Sequence, residues 1–361
     1  MPANSAGGDV ITLQIAGKRI ERFLSYSVEA DLYTADDAFS LELARPEIAI
    51  KRGQRCELYV NGVLELTGII DKPSRRYDKA GLTLRLEGRD LMGLLVDSCC
   101  EKFVTVEGKK LTELAEMLLE TVPYINRKGI IYQENIIGKL HGKKKTVDSP
   151  DLGYMDSPQK ISQIEPGMTI FEVLKTYAAS RGLMFFALAD GTFVFGRPKA
   201  KGEPVFTLTC SKSGGGNILE GEEVDDISKR FSKVTVIGQT QGQDGDGLDA
   251  SVVNSPSGVA LDPDFPFYKP YVTKDNNDSQ SPALHARFLM EQQRHQGYQL
   301  HYTVQGHSQN GKNWRINELC RVRDEILGVD GVYLIYGRNF GRSRQSGTTT
   351  SLKLGPPGLV Q

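Results

Sequence analysis

The stretch Cys56-Glu-Leu-Tyr-Val60-Asn-Gly-Val63-Leu-Glu-Leu66 contains two runs in which apolar and polar residues alternate. A period of two is typical of a strand with one buried face. Asn61-Gly62 lies between the runs, and this dipeptide readily adopts the positive φ angles of a two-residue hairpin turn. The stretch therefore predicts a β-hairpin and makes a β-rich fold the first hypothesis.

The same alternation extends through the first ninety residues. Its further apolar positions are Ile11, Leu13, Ile15, Leu24, Tyr26, Val28, Leu82, Leu84 and Leu86. Several short strands closed by turns are typical of a small barrel or sandwich. We predict an N-terminal β-barrel domain over residues 1–98.

The next segment changes its period. Apolar residues recur at spacings of three and four, at Leu111, Leu114, Leu118 and Val122. This spacing predicts an amphipathic helix over Lys110–Val122, stopped by Pro123.

Two further signals follow in this segment. Thr169-Ile-Phe-Glu172 has the form of a capping box, in which the Thr hydroxyl and the Glu carboxylate accept from free N–H groups at a helix start. Asp190-Gly191 separates two apolar runs and predicts a second hairpin. We predict an α+β middle domain over residues 99–204.

Strand-like alternation returns from Val205 to the end of the chain. A Gly/Asp/Pro-rich stretch, Gln239–Pro270, interrupts it and is expected to be exposed. A helix follows, with Ser281 as N-cap, Pro282 at its first position and Gly297 after its end. We predict a second β-barrel domain over residues 205–361, with a loop and helix insertion at about 239–297. The fold class is a β-rich, multidomain α+β chain with two small antiparallel β-barrels.

An internal comparison bears on the relation between the two β domains. Cys56, Gly62-Val63 and Gly68 have counterparts in Cys320, Gly331-Val332 and Gly337, with the same six-residue step between the glycines. Both segments then end in an alternating run after a glycine. Two interpretations stay open: the domains are copies of one barrel, or two unrelated strand–turn–strand segments share common residues.

Composition limits the class of protein. The 361 residues carry 44 basic and 45 acidic side chains, so no overall basic bias marks a dedicated nucleic-acid or membrane-surface protein. The start of the chain does not resemble a signal peptide, and no run of 18 apolar residues occurs. We expect folding in a cytoplasm and no stable membrane insertion. The five cysteines are scattered, which favours buried small side chains over disulfides or zinc ligands.

Patterns that would indicate catalysis are incomplete. Gly341-Arg-Ser343-Arg-Gln345 lacks the second glycine of a nucleophile elbow, and Gly138-Lys-Leu-His-Gly142-Lys143 is one residue short of a phosphate loop. Lys143–Lys145 is more typical of a solvated face than of a phosphate site. Glu222-Glu223 and Asp225-Asp226 could suggest a glycosidase carboxylate pair, but adjacent acids favour a solvated acidic turn. Trp314 could stack a ligand, although a core anchor is the simpler interpretation.

Patterns that would indicate a metal site are also incomplete. His295, His301 and His307 are spaced by six, which fits ligation from neither a helix nor a strand. Asp244, Asp246 and Asp249 fail the calcium-loop spacing because Leu248 occupies a ligand position. We therefore predict no catalytic, cofactor-binding or metal-binding residues.

Several stretches together resemble the baseplate hub proteins of Mu-like phages and prophages, also called 43-kDa tail proteins. The stretches are Gly88-Arg89-Asp90 with Leu95 and Asp97, Arg181-Gly182, Gly191-Thr-Phe193-Val194-Phe195 with Arg197, Arg230-Phe231-Ser232 with Val236 and Gly238, Glu291-Gln292-Gln293-Arg294, Trp314-Arg-Ile-Asn317, and Gly347-Thr-Thr-Thr-Ser-Leu-Lys-Leu354 with Pro356. Each motif is weak alone, but their order along most of the chain is specific.

The resemblance implies a structural protein of a contractile tail, without catalysis. It implies a homotrimer in which two similar barrels per subunit form a six-fold-like ring that joins the tail tube to the membrane-piercing spike and lets DNA pass. Its place would be the virion baseplate, after assembly in the bacterial host cytoplasm. Sequence-specific binding of nucleic acid is not expected.

Two alternatives from other classes stay open. One is a tail-associated cell-wall hydrolase that uses Glu222 or Glu223. The other is a peptidoglycan-binding module within residues 99–200, where a helix followed by a hairpin loosely resembles LysM-type domains.

Overall fold

The computed structural model describes residues 8–44, 49–79, 81–125, 131–132, 163–238, 257–275 and 282–357. The motifs expected around Gly138–Lys145 and Asp244–Asp249, and the N-cap Ser281, lie outside these residues. The described chain is mostly β-structure with a few helices.

The N-terminal part forms seven strands. They are β1 (Ile11–Ile15), β2 (Lys18–Ile20), β3 (Ser25–Asp31), β4 (Ala38–Ala44), β5 (Arg55–Val60), β6 (Val63–Asp78) and β7 (Gly81–Asp90). The predicted hairpin is confirmed, because Asn61 and Gly62 have φ angles of 51° and 78° and Val60 pairs with Val63. Apolar side chains alternate inward along each strand, as in Cys56, Leu58 and Val60.

The middle part mixes short helices and strands. They are α1 (Met92–Asp97), β8 (Val104–Thr105), α2 (Leu111–Leu118), β9 (Ile131–Tyr132), β10 (Gln163–Ile164), α3 (Ile170–Ala179), β11 (Met184–Ala187) and β12 (Phe193–Gly196). The capping box is confirmed: Glu172 N–H donates to Thr169 Oγ1 over 3.1 Å, and Thr169 N–H donates to Glu172 Oε2 over 3.0 Å. Helix α2 ends four residues earlier than predicted. Its last residues form tighter turns ahead of Pro123, where helical backbone is disfavoured.

The C-terminal part is again rich in strands. It contains β13 (Phe206–Cys210), β14 (Ile218–Asp225), a 3₁₀ turn (Ile227–Lys229), β15 (Lys233–Gly238), β16 (Ser257–Leu261), β17 (Pro270–Asp275), α4 (Pro282–Gly297), β18 (Tyr298–Gln305), β19 (Ser308–Gln309), β20 (Lys312–Asn313), β21 (Glu318–Asp324), β22 (Val329–Ser343) and β23 (Gly347–Gly355). Helix α4 begins at Pro282 as predicted, but it includes Gly297 and runs directly into β18.

The described part of the predicted exposed insertion is partly buried. Strands β16 and β17 flank β15 in a three-stranded sheet, and α4 covers one face of it. Val234, Ala260, Ala286 and Met290 form a small core between them. Most described residues of this stretch are exposed, as expected, but Gly258, Ala260, Asp262 and Phe265 are buried because β16 packs against α4.

The largest element is one 13-stranded sheet built from both ends of the chain. Strand β3 pairs antiparallel with β22, from Asp31 opposite Gly337 to Tyr26 opposite Arg342. Side chains from both parts share one buried cluster, in which Leu58 and Leu84 belong with Tyr302 and Leu352. The mostly β, multidomain class is confirmed. The strand pairings among the described residues join the two parts in an open sheet, without a closed barrel.

The suspected internal repeat is present as a repeated arrangement of strands. Strands β5–β6–β7 and β21–β22–β23 are each an antiparallel meander with a long central strand. Each central strand carries a bulge against the following strand, between Ile70 and Lys72 in β6 and between Ile335 and Gly337 in β22.

The bulges correct the equivalence inferred from sequence. Cys56 lies opposite the residue two positions before Ile70, and Cys320 lies opposite the residue two positions before Ile335. The two cysteines are therefore equivalent. Gly337 is equivalent to Lys72 and not to Gly68. The glycine spacing suggested the wrong equivalence because the two hairpin turns differ in length. The first turn has two residues between the paired positions 60 and 63, and the second has four residues between the paired positions 324 and 329.

A buried ion pair joins the two parts of the sheet. Arg338 Nη1 on β22 lies 2.6 Å from Glu65 Oε2 on β6, and both side chains are almost fully buried, at 3% and 6% exposure. Glu65 is the extra residue of a bulge against β5, which turns its carboxylate inward. Asn313 Nδ2 donates to its other oxygen over 2.8 Å, and the guanidinium stacks on Phe340 at 3.9 Å.

Removing one member of this pair is expected to destabilise the fold strongly. Arg338→Met leaves the Glu65 carboxylate buried without its partner, which typically costs about 3–5 kcal/mol. The double variant Arg338→Met/Glu65→Leu removes both charges and should recover most of that loss. Urea denaturation monitored by circular dichroism measures both values.

A matched control uses an exposed pair, Arg19 and Glu21, whose atoms are 2.7 Å apart with side chains 66% and 46% exposed. Arg19→Met should change the free energy of unfolding by less than about 1 kcal/mol. Equal effects at Arg338 and Arg19 would contradict the structural role assigned to the buried pair.

Candidate functional site

The face of the large sheet that points away from its core is polar across eight strands. The side chains on it include Glu220 and Glu222 of β14, Gln299, His301 and Thr303 of β18, Ser351 and Lys353 of β23, Asn339 of β22, Ser27 and Glu29 of β3, Ser40 and Glu42 of β4, Arg85 and Glu87 of β7, and Lys72 and Ser74 of β6. The register that buries Leu300 and Leu352 in the core places these residues on the opposite side. We call this surface the polar face.

The polar face is concave. Three clefts of about 680, 490 and 560 Å³ lie along it. The largest spans the junction between the two parts of the sheet, from Glu222 and His301 to Asn339 and Glu29. A curved, hydrophilic surface suits contact with water or a hydrated polymer better than contact with an apolar partner.

Several bases on the polar face are paired with carboxylates. Lys353 Nζ lies 3.0 Å from Asp31, and Glu87 lies 3.3 Å from Lys72 and 2.9 Å from Arg85. In the largest cleft, Glu29, Glu220 and Glu222 add negative charge without an ion-pair partner among the described residues. The cleft is therefore acidic rather than basic.

Asp37, a half-buried residue, adds a carboxyl to the wall of the largest cleft. It accepts from the Asp31 backbone N–H over 3.0 Å. Burial raises its pKa well above the usual range, although Arg338 opposes this rise.

The three evenly spaced histidines have separate surroundings. His295 is buried at the end of α4 against Tyr33 and Tyr336, whereas His301 lies on the polar face and contacts Gln299 at 3.2 Å. His307 is fully buried, with Nε2 2.8 Å from the Tyr26 hydroxyl and Nδ1 3.1 Å from Thr350 Oγ1. Burial lowers the pKa of His307 to about 4. In the described parts of the chain, no group of three His, Cys, Asp or Glu is arranged to hold a metal ion.

Glu222 and Glu223 lie in β14 and not in the acidic turn expected from sequence. Adjacent residues of a strand point to opposite faces, so Glu222 projects onto the polar face and Glu223 lies near the Tyr298 hydroxyl, 2.8 Å away. Two carboxylates placed in this way cannot flank one glycosidic bond.

Trp314 is a core residue, as the simpler interpretation held. It is 1% exposed and its ring lies 4.6 Å from that of Phe206. The prediction of buried cysteines is correct for Cys56, Cys100 and Cys320, but Cys99 is exposed. All five thiols are free.

Residues that carried the resemblance have structural roles. Arg89 forms ion pairs with Asp36, Asp71 and Asp97, at 3.2, 2.8 and 2.6 Å. A side chain at Gly88 would collide with the Phe39 ring, since an added Cβ would lie 2.4 Å from it.

Among the described residues, no helix is long and apolar enough to cross a membrane.

Comparison with known proteins agrees with this fold. The family described as Mu phage baseplate assembly protein GpP-like, N-terminal, matches residues 10–90, and the family described as Tail protein, C-terminal domain, matches residues 292–358. Baseplate hub protein gp44 of Escherichia phage Mu is 23% identical over 360 residues, which cover 96% of this chain and 88% of that protein. The chain is a homologue of the Mu baseplate hub protein. The resemblance inferred from sequence is confirmed.

Two crystal structures share the fold over nearly the whole length of this chain. The tail protein from Neisseria meningitidis MC58 has a TM-score of 0.77 and 27% identity, and the match covers 97% of each chain. The prophage MuSo2 43 kDa tail protein from Shewanella oneidensis has a TM-score of 0.73 and 22% identity, covering 96% of this chain and 98% of that one.

The buried, neutral His307 should make stability depend on pH. Because its pKa in the folded chain is about 4, the unfolded chain alone binds this proton as the pH falls below about 6.5. The free energy of unfolding should therefore decrease from pH 6.5 towards pH 4, by up to about 1.4 kcal/mol per pH unit from this group.

His307→Gln isolates that contribution. The variant should be less stable at pH 7, because its contacts with Tyr26 and Thr350 change, but it should lose less stability between pH 7 and pH 5. Denaturation curves of both proteins at the two pH values give the comparison. Identical losses for both proteins would show that His307 does not titrate in this way.

Proposed function

We propose that this chain is the repeating subunit of a homotrimeric hub ring in the baseplate of a contractile phage tail. The observation that carries the proposal is the repeated strand arrangement, joined into one sheet with a concave polar face. Homology to the Mu baseplate hub protein supports the assignment to the baseplate. The strands of each part would act as one barrel-like unit, so three chains would present six similar units around an axis.

The symmetry gives the ring its role. A six-fold-like surface on one side suits a hexameric tail tube, while the three-fold chain arrangement suits a trimeric spike. The hub would thus connect tube and spike in the virion baseplate, after assembly in the host cytoplasm. The work is structural, and the separated carboxylates Glu222 and Glu223 support a role without catalysis.

The polar face is proposed to line the central passage. DNA binds non-specifically where unpaired Lys and Arg release counterions from its phosphates. Lys72, Arg85 and Lys353 are already paired, and the largest cleft is acidic. Such a lining would let DNA slide through without sticking.

Light scattering should give a solution mass of three times the 39.9 kDa chain mass at micromolar concentration. Closed rings bury large heterologous interfaces, so the trimer should persist on moderate dilution. A monomer at every accessible concentration would overturn the proposed ring.

Reversing charge on the polar face should create DNA binding. Glu29→Lys/Glu220→Lys adds unpaired bases to the largest cleft, so the variant should retard duplex DNA in a gel at about 0.1 M salt, where the unmodified protein should not. Glu101→Lys/Glu107→Lys makes the same charge change at exposed sites in the middle part of the chain. Equal binding by both variants would argue against a special role of the polar face.

A further inference from the structure

The internal repeat extends beyond the meander to two more strands. In the N-terminal part, β7 pairs with β4 and β4 with β3; in the C-terminal part, β23 pairs with β18 and β18 with β14. The order β6–β7–β4–β3 therefore repeats as β22–β23–β18–β14. Strand β14 is the equivalent of β3, and β6 is the equivalent of β22.

One pair of these equivalents is joined within the chain. Strand β3 pairs with the half of β22 that follows its bulge, from Gly337 to Arg342. The reciprocal pair would be β14 with the half of β6 that follows its own bulge, Lys72–Asp78. Among the described residues, the strand ladder of β14 is with β18 alone and that of Lys72–Tyr77 is with β7 alone, so each has one open edge.

We propose that β14 of one copy pairs antiparallel with Lys72–Tyr77 of β6 in the next copy, repeating between chains the β3–β22 junction found within each chain. The proposal rests on the proposed ring and names the surfaces that would close it. The contact is heterologous, because an open edge of one kind meets an open edge of the other kind.

The internal junction also supplies a register. In it, Asp31, Val28 and Ser27 lie opposite Gly337, Phe340 and Gly341. The strand pairings within each part give the equivalent positions. Asp31, Val28 and Ser27 correspond to Asp226, Glu223 and Glu222 at the β14 edge. Gly337, Phe340 and Gly341 correspond to Lys72, Arg75 and Arg76 at the β6 edge.

The transferred register places opposite charges together at three sites. Asp226 would face Lys72, Glu223 would face Arg75, and Glu222 would face Arg76. Directly opposed ions on neighbouring strands attract, and like charges at these positions would repel. The register follows from the backbone ladders alone, so the charge match is independent support for the pairing.

Three of the six side chains are free to make the contact, whereas Lys72 would have to share its partner Glu87, Glu223 its Tyr298 hydroxyl and Asp226 its neighbour Lys229. Glu222, Arg75 and Arg76 are exposed and form no ion pair among the described residues. Tyr77, 86% exposed, would lie opposite Gly221, near Leu219, which is 54% exposed. Pro73 has no N–H to donate, so the ladder would depend chiefly on Ser74 to Tyr77.

Charge reversal tests the proposal. Glu222→Arg/Glu223→Arg and Arg75→Glu/Arg76→Glu should each raise the concentration for half-assembly by at least about tenfold, since like charges then face each other. A ring of three chains mixed from the two variants must contain one junction between identical chains, and that junction stays repulsive. The restoring test therefore combines all four substitutions in one chain. That protein should assemble within a few-fold of the original. Glu101→Arg/Glu107→Arg is the matched control, and circular dichroism checks folding.

Cross-linking tests the register. Glu222→Cys/Arg76→Cys should give disulfide-linked dimers and trimers on a non-reducing gel after mild oxidation. Glu222→Cys/Arg19→Cys tests β2, the other end of the sheet, and each single variant controls for the exposed Cys99.

The outcomes separate this pairing from the ring itself. If the original protein is a trimer but neither charge reversal nor the Glu222–Arg76 cysteine pair has the expected effect, the pairing is wrong and the ring stands. Cross-linking through Arg19 instead would also overturn it. If the original protein is monomeric and the cysteine pair gives no cross-link, both proposals fail.

Discussion

The buried ion pair between Arg338 and Glu65 is the constraint that holds the two parts of the molecule in one arrangement. Each charge lies in a core where it would be strongly unfavourable alone, and each comes from a different end of the chain. Neither part can therefore bury its charged residue without the other. The pair fixes β6 against β22 across the shared core and makes the N- and C-terminal strands interdependent.

Continuity of the polar face follows from that arrangement. With β22 held in place, β3 pairs along its second half, and Ser27 and Glu29 come level with Gly341 and Asn339. Had the register slipped by one residue, Val28 and Phe340 would point outward and the face would be interrupted by apolar side chains. The same register that completes the core thus creates the concave surface proposed to line a passage.

Local signals in the sequence predicted local structure well. Asn61-Gly62, the Thr169 capping box and Pro282 act within a few residues, and each is found as expected. Contacts between distant residues left no such signal. Glu65 occupied an outward position in the alternating pattern, and only its bulge turns it inward. The β3–β22 junction joins segments about 300 residues apart, which no period reveals, and Glu222-Glu223 resembled a turn because an exposed edge strand needs few apolar residues.

The repeat also explains why equivalent edges carry different charge. Within the chain, covalent connection keeps β3 and β22 together, so their facing residues can be small and neutral, such as Ser27 and Gly341. Separate chains lack that connection, and a neutral open edge would pair with any strand it met. Acidic residues on β14 and basic residues on β6 repel copies of themselves while attracting each other. Opposite charge on the two open edges therefore favours head-to-tail closure over symmetric dimers or aggregates.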